Sequence, residues 1–240
     1  MCLMALAYKA HARYPLIVAA NRDEFLSREA DPAHFWPDLP LVLAGRDRQA
    51  LGTWLGITLS GRFAALTNHR DLRRPPVAGP SRGLLVRDAL LAEPVADPVP
   101  REGYNLLHGP VEDLRYRSNI TGEERQLQPG IHGLSNALLN TPWPKVERAR
   151  QSMERLILPE GPDTEALFRL LQDATPGEDH VLPDTGLGID HERALSPIRI
   201  DLPGYGTRCS TVLLVSATGL VRFEERTLKG GGTVLQEFQL

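Results

Sequence analysis

The sequence lacks the features that identify several common kinds of site. Cysteine is scarce: the 240 residues contain two, Cys2 and Cys209, too few for a disulfide scaffold in a chain of this length. The seven histidines show no His-x-x-x-His spacing, and Cys-x-x-Cys is absent, so no metal site is predicted. No G-x-G-x-x-G, P-loop or Gly-x-Ser-x-Gly pattern occurs, which argues against a phosphate-binding loop and a serine nucleophile.

Long apolar runs and an excess of one charge are also missing. No apolar run approaches the ~20 residues that cross a bilayer, and polarity returns at Lys9, too early for a signal peptide. A net charge of −3 with mixed signs gives no electrostatic basis for binding nucleic acid. With 42% hydrophobic residues, the length suits one domain over 1–240. We therefore expect a soluble cytoplasmic protein.

What is present begins with Met1-Cys2. Removal of Met1 is expected because a cysteine side chain is small, and Cys2 would then carry a thiol nucleophile and a free α-amine with a pKa of roughly 7.7 to 8.0. The apolar residues 3–8 predict a buried strand, and the apolar run 16–20 predicts its hairpin partner. Residues 21–24, Asn-Arg-Asp-Glu, would then lie beside Cys2. This polar cluster is either an ion-paired strand end or the surroundings of a reactive thiol.

The rest of the chain predicts a layered fold. Residues 25–40 are rich in proline, aspartate and aromatic residues, and we interpret them as an ordered loop over the core. Apolar positions recur at helical spacing in 81–91, 144–158 and 164–174. The polar segment 176–192 is expected to be an exposed loop. Strands at both ends and helices between them favour an α+β domain in which helices cover packed sheets.

Six short motifs, distributed over nearly the whole chain, resemble those of one family. They are Met-Cys at 1–2, Ala-Asn-Arg-Asp-Glu-Phe at 20–25, Gly-Thr-Trp-Leu-Gly at 52–56, Thr-Asn-His-Arg at 67–70, Gly-Leu-Ser-Asn at 133–136 and Arg-Cys-Ser-Thr-Val at 208–212. In this order they are similar to the NRDE family, also called transport-and-Golgi-organisation-2-like proteins. Leu51 stands where that family usually has a glycine, a departure that affects one turn.

That family in turn resembles the N-terminal-nucleophile hydrolases, in particular the cysteine branch that contains penicillin V acylase and the bile salt hydrolases. The resemblance implies a four-layer αββα sandwich. It also implies five catalytic residues and three supporting ones: Cys2 as nucleophile, Asp23 holding the α-amine, Asn68 and Asn136 near the oxyanion, Arg208 facing the thiol, and Asn21, Arg22 and Glu24 in support.

One departure concerns the charge beside the thiol. The cysteine branch has an arginine three residues before the aspartate, where this chain has Ala20. Arg22 is adjacent to Asp23 instead and is expected to point differently on the strand. The sequence therefore leaves open which residue supplies a cation to Cys2.

The resemblance implies hydrolysis of a small-molecule amide through a thioester, without a cofactor. Phe35 and Trp36 are predicted to cover an apolar acyl group, and His69 to contact the substrate. The alternative is a non-catalytic protein that binds or transports haem or a lipid such as acyl-CoA, because proteins of this family are implicated in handling both. His34 and His69 would then be candidate axial ligands. Ligand identity and oligomeric state stay open.

Overall fold

Two antiparallel β-sheets form the centre of the molecule. The computed structural model describes residues 2–93, 99–157 and 160–240. In this part of the chain the strands are β1 (Cys2–His11), β2 (Tyr14–Phe25), β3 (Ala30–Trp36), β4 (Leu39–Asp47), β5 (Leu55–Thr58), β6 (Arg62–Asn68), β7 (Tyr104–Pro110), β8 (Arg115–Ser118), β9 (Glu123–Gln126), β10 (Gly130–Leu134), β11 (Asp201–Leu202), β12 (Tyr205–Val215), β13 (Leu220–Thr227) and β14 (Thr233–Gln239). The α-helices are α1 (Gly83–Leu90), α2 (Pro144–Leu156), α3 (Thr164–Leu171) and α4 (Ile189–Ala194), and a 3-10 turn spans Asp179–Val181.

The first sheet combines both ends of the chain. Its strand order is β10-β1-β2-β12-β13-β14, with β11 paired to β12. The second sheet is a meander from β3 to β9 in sequence order. The N-terminal hairpin therefore lies in the middle of the first sheet, between one strand from the centre of the sequence and one from its end.

Three buried hydrophobic clusters separate four layers. Successive side chains of a strand point to opposite faces, and β1 shows this directly: Leu6 packs between the sheets, whereas Leu3 packs against α2 and α3. The third cluster joins the second sheet to α1 through residues such as Val86 and Leu106. Because the central strands are buried on both faces, their sequences are continuous apolar runs. The predicted four-layer αββα sandwich is confirmed.

Residues 25–40 are not the predicted loop. They include β3 and the start of β4, which pair as a hairpin at the edge of the second sheet. Prolines are tolerated on edge strands because the missing N–H faces away from the ladder. The prolines of this segment, among them Pro32, therefore gave a misleading loop signal.

The segment 176–192 is also more structured than predicted. It contains the 3-10 turn and the first residues of α4, and it buries Thr185 and Glu192. The buried acid has a partner elsewhere in the chain, described below. Within the described residues, no helix is both long and apolar enough to cross a membrane.

Candidate functional site

Cys2 opens β1 at the wall of a cavity of about 490 Å³. The antiparallel register sets Cys2 opposite Arg22 of β2. The cavity is lined mainly by the start of β1, the end of β2, the segment after β4 and the segment before α1. Its lining residues are Cys2, Arg22, Asp23, Glu24, Arg28, Asp47, Gln49, Ala50, Thr53, Trp54, Leu66, Asn68, Val77, Gly79, Pro80, Ser81, Arg82, Gly83 and Glu102.

Arg22 supplies the cation beside the thiol. Its guanidinium carbon lies 4.2 Å from the centre of the Trp54 ring, and its Nη2 lies 3.6 Å from Asp47 Oδ2. Burial raises the pKa of the Cys2 thiol most, and the Asp23 charge raises it too, whereas the charge of the amino terminus, the Asp23 backbone N–H and, least of the three, the Arg22 charge lower it. The expectation that Arg22 points elsewhere is wrong, because residues 20 and 22 share one face of the strand. Arg22 thus lies opposite Cys2 in the β1–β2 hairpin.

Asp23 is buried and lies between the cavity and the helix layer. Thr207 Oγ1 donates a 2.7 Å hydrogen bond to its Oδ1. Burial raises the pKa of Asp23, and the charge of Lys145 is the largest influence that lowers it. Lys145 is itself fully buried, and its ammonium donates to the Leu195 carbonyl at 3.0 Å. Burial lowers the pKa of Lys145 to about 8.

The two candidate oxyanion residues lie together next to Cys2. The pairing of Met4 with Leu134 brings the residues after β10 alongside the start of β1. Ser135 Oγ donates to the Cys2 carbonyl at 3.0 Å, and Asn136 Nδ2 donates to the Asn68 carbonyl at 3.0 Å. Asn68 lines the cavity directly, whereas Asn136 is fully buried behind it.

Arg208 does not lie in this cavity, which corrects the prediction that it faces the thiol. It is the extra residue of a bulge in β12, because Thr207 pairs with Asp23 and Cys209 with Arg22. Its Nη1 donates to the carbonyls of residues 25, 26 and 28, at 3.0, 2.7 and 3.2 Å. The bulge directs the Arg208 side chain toward residues 25–28 at the end of β2, where its guanidinium binds their carbonyl groups.

The other residues of the Asn-Arg-Asp-Glu motif divide between the two faces of β2. Asn21 is buried and faces the helix layer, where Nδ2 donates to the carbonyls of Leu171 and Ile198 at 2.8 and 3.0 Å. Glu24 lines the cavity, and its Oε2 lies 3.9 Å from Arg28 Nε. Asn21 therefore ties β2 to the helices, while Glu24 contributes charge to the cavity.

The aromatic residues predicted to cover a substrate lie outside the cavity. Trp36 is fully buried in the cluster beneath α1, and its Nε1 donates to the Ala44 carbonyl at 2.9 Å. Phe35 packs against Phe238 on the last strand, with ring centres 5.8 Å apart. The hairpin of β3 and β4 turns both rings into hydrophobic layers, so neither contacts a ligand at Cys2.

The candidate haem ligands are not in the cavity either. His34 Nδ1 lies 2.8 Å from the Pro32 carbonyl on an edge strand. His69 follows Asn68 but is not part of the lining, and burial lowers its pKa. In the described ranges, no three His, Cys, Asp or Glu side chains are grouped so as to hold a metal ion.

Comparison with known proteins decides the family. The model of the family described as Transport and Golgi organisation 2 matches residues 1–230. The chain belongs to this family. A mouse protein named Transport and Golgi organization 2 homolog is 36% identical over 241 residues, which cover 90% of this chain and 87% of the mouse protein. The human homolog is 34% identical with the same coverage. The resemblance to the NRDE family is confirmed.

Two solved structures show that the Transport and Golgi organisation 2 family shares its fold with hydrolases. An N-acylethanolamine-hydrolyzing acid amidase ortholog from Caenorhabditis elegans superposes with a TM-score of 0.51 and 11% identity, covering 89% of this chain and 92% of that one. A mutant conjugated bile acid hydrolase from Clostridium perfringens gives 0.52 and 8%, covering 100% and 92%. At this identity the likeness concerns the fold alone.

Sequence reasoning did not predict two charged residues near Cys2, Lys145 and Arg82. Lys145 is the second residue of α2, in a stretch where polar residues are expected on a helix surface. A signal existed in its neighbours: Pro144, Val146 and Ala149 mark this part of the helix as buried or capped. Arg82 lies just before α1, and no motif singled it out.

Lys145→Met is expected to change how stability depends on pH. Between about pH 8 and 10.5 the unfolded chain holds a proton on Lys145 that the folded protein has released. Stability rises with pH wherever the unfolded state binds more protons. The wild type should therefore gain up to about 3 kcal/mol from this group across that window. Urea unfolding at pH 8, 9 and 10 should show that the variant has lost this gain.

The matched control is Lys9→Met, which removes an exposed lysine from the far end of β1. Groups that titrate in both the wild type and a variant contribute equally to the pH dependence of the unfolding free energy, so their contributions cancel when the two proteins are compared. Lys9→Met should keep the wild-type dependence on pH. Equal slopes for the wild type and Lys145→Met would show that folding leaves the pKa of Lys145 unchanged, which would contradict the prediction.

Proposed function

We propose that this protein is an N-terminal-cysteine hydrolase that cleaves the C–N amide bond of a small molecule through a thioester. The observation that carries the proposal is the position of Cys2 on β1, at the wall of a cavity that also contains Arg22, Asp23 and Asn68. The alternative, a strand end stabilised only by ion pairs, does not explain why the Cys2 thiol and the Asn68 amide line the same cavity. We place this activity in the cytoplasm and in one domain over 1–240.

The chemistry follows from the groups around the thiol. Once Met1 is removed, the α-amine of Cys2 accepts the thiol proton, and the thiolate attacks the substrate carbonyl. The Asn68 amide is available to donate to the oxyanion, with Asn136 holding the Asn68 backbone from behind. The α-amine then protonates the leaving amine, and water hydrolyses the thioester to free the acid and Cys2.

The surrounding charges give Cys2 and its α-amine defined roles. Arg22 favours the thiolate, which burial otherwise disfavours. The charge of the amino terminus lowers the pKa of Asp23, and we assign Asp23 the task of holding the α-amine. From the helix side, the charge of Lys145 opposes the effect of burial on the pKa of Asp23. No step needs a metal or an organic cofactor.

A polar cavity favours this proposal over haem or lipid transport. Its lining carries three arginines and four carboxylates, and the aromatic residue that faces it, Trp54, is covered by Arg22. A flat apolar macrocycle would have to desolvate these charges, which is costly when they find no new partners.

The experiment is intact-mass spectrometry before and after mixing the protein with a panel of small N-acyl amides and activated esters. The expected mass of the untreated protein lacks Met1. Treated protein should gain the mass of one acyl group, which peptide mapping should locate on Cys2. A retained or formylated Met1 would leave no free α-amine on Cys2 and would contradict the proposal.

A further inference from the structure

Three arginines line the Cys2 cavity, and two of them have carboxylate partners. Arg28 Nε lies 2.6 Å from Asp47 Oδ2, and Arg22 Nη2 lies 3.6 Å from the same oxygen. Arg82 differs. Its Nη1 donates to the Gly103 carbonyl at 2.9 Å, and none of the carboxylates that the structure describes forms an ion pair with it.

The surroundings of Arg82 leave its charge incompletely balanced. Burial lowers the pKa of Arg82, while the charges of Glu102, Glu24 and Cys2 act in the opposite direction. Glu102 is exposed and accepts a hydrogen bond from the Val77 backbone N–H, and Glu24 lies beside Arg28. Each acid is therefore already engaged. A half-buried guanidinium with one carbonyl partner retains donors for a planar anion.

Arg82 is also close enough to Cys2 for the thiolate charge to affect its pKa. A small amide in a cavity of about 490 Å³ can therefore reach both groups. Among the lining side chains the apolar ones are Ala50, Leu66, Val77, Pro80 and Trp54, and the Trp54 ring is covered by the Arg22 guanidinium, which leaves little surface for a long acyl chain. These features favour a compact, polar and anionic substrate over an apolar one.

Resting on the proposed hydrolase function, we propose that the substrates are small amides that carry a carboxylate, and that Arg82 determines this specificity by binding the carboxylate while Cys2 attacks the amide carbonyl. A guanidinium and a carboxylate form two parallel hydrogen bonds, which also orient the ligand. The neutral amide of the same shape would leave Arg82 without that partner.

The test uses two pairs of probes that differ only in charge. N-butanoylglycine and N-butanoylglycinamide have the anion or its neutral counterpart on the amine side. N-propylsuccinamic acid and N-propylsuccinamide have it on the acyl side. For each probe, kcat and KM are measured on the wild type, and affinity is measured by calorimetry on a Cys2→Ala background. The acyl-side and amine-side pairs report which part of the substrate carries the carboxylate.

Arg82→Met should lower kcat/KM for the preferred acid about 10- to 100-fold, the range for a hydrogen bond to a charged group. The loss should appear mainly in KM and in affinity, and the matched neutral amide should change less than about threefold. Arg82→Lys should recover part of the loss. Arg101→Met is the matched control, because Arg101 is not a lining residue but holds the same segment by donating to the carbonyls of Pro80 and Ser81. It should leave the preference for the acid unchanged.

Two results would overturn the inference. One is a wild type with no preference for the acid of either pair, in turnover and in affinity. The other is an Arg82→Met variant that loses acid and neutral amide equally, which a structural role of Arg82 would produce. Failure of the proposed function has a different signature: neither pair is hydrolysed, yet the acid binds more tightly than its neutral match and Arg82→Met removes the difference. That result supports carboxylate binding by Arg82 and rejects hydrolysis.

Discussion

Cys2→Ala should lower the proposed amide hydrolysis by at least about 10⁴-fold, because removing the proposed nucleophile abolishes the covalent pathway and leaves only the candidate oxyanion donors. Ligand affinity should change little, since the alanine keeps the β1 backbone and its pairing with β2. Steady-state rates on a hydrolysed amide and calorimetry with the same amide measure the two effects. A variant that retains turnover would show that Cys2 is not the nucleophile.

Cys209→Ser is the matched control, because Cys209 is the other cysteine of the chain. It also pairs with Arg22, from the opposite side of β2. Its Sγ contacts Glu225 Oε2 at 3.5 Å, and burial raises its pKa well above the ordinary thiol value. Cys2 lies on β1 and Cys209 on β12, with β2 between them. Two strand-to-strand spacings place the backbones of the two cysteines roughly 9 to 10 Å apart, too far for a disulfide. The Cys209→Ser variant should therefore keep the wild-type activity, and iodoacetamide should still label it at Cys2.

The pH dependence of that labelling gives a second check on Cys2. Burial raises the pKa of the Cys2 thiol more than Arg22 lowers it, and only the thiolate is alkylated. The labelling rate should therefore still be rising with pH above the ordinary thiol value of ~8.5. Arg22→Met removes the favourable charge and should slow labelling at pH 8.

The part of the site that sequence reasoning predicted well depends on local pairing. A short connection between two apolar runs allows few arrangements, so Cys2 and residues 21–24 had to meet at one end of the β1–β2 hairpin. Asn68 and Asn136 required the family resemblance, because the pairings that bring them together join distant parts of the chain. The physical rule that polar groups at strand ends need partners indicated both residues without fixing their positions.

The predictions that were wrong depend on features that a sequence pattern does not encode. A single-residue bulge between Thr207 and Cys209 turned Arg208 away from the thiol. The edge position of β3 made its prolines compatible with a strand, and the hairpin then directed Phe35 and Trp36 into hydrophobic layers. In both cases one local backbone choice changed the face on which side chains lie.

Glu192 illustrates the same limit in the segment predicted to be an exposed loop. Its partner, Arg70, is 122 residues away in sequence. Arg70 Nη2 donates to Glu192 Oε2 at 2.5 Å, and Thr185 donates to the other oxygen through its backbone N–H at 2.9 Å and its hydroxyl at 2.5 Å. Composition cannot reveal such a pairing, because an isolated glutamate in a polar segment normally faces solvent.

Glu192→Ala should destabilise the protein by about 3 to 5 kcal/mol, the cost of leaving one charge of a buried ion pair without its partner. Arg70 and Glu192 are both nearly inaccessible, at 8% and 2% exposure, so water cannot replace the lost carboxylate. Urea unfolding measures the effect. The double variant Arg70→Met/Glu192→Leu should recover part of the loss, because it removes both charges and fills the space with apolar atoms.

The neighbouring residue provides the control. Arg193 forms an exposed pair with Asp179 at 2.7 Å, and such surface pairs contribute little to stability because solvent screens them. Arg193→Ala should therefore lower the unfolding free energy much less than Glu192→Ala does, although the two residues are adjacent. Similar losses for the two variants would show that burial does not distinguish the pairs, and that the 176–192 segment is not anchored through Glu192.

Glu192→Ala should also lower catalysis in the fraction of protein that remains folded. The Arg70 backbone N–H donates to the Asn136 carbonyl at 2.8 Å, and Asn136 in turn holds the Asn68 backbone. Loss of the ion pair removes the carboxylate partner of the Arg70 side chain and loosens this connection to the two candidate oxyanion residues. Because a displaced donor stabilises the transition state less while substrate binding is retained, kcat should fall more than KM rises. An unchanged kcat in folded Glu192→Ala would show that the buried pair supports the fold without positioning Asn68 and Asn136.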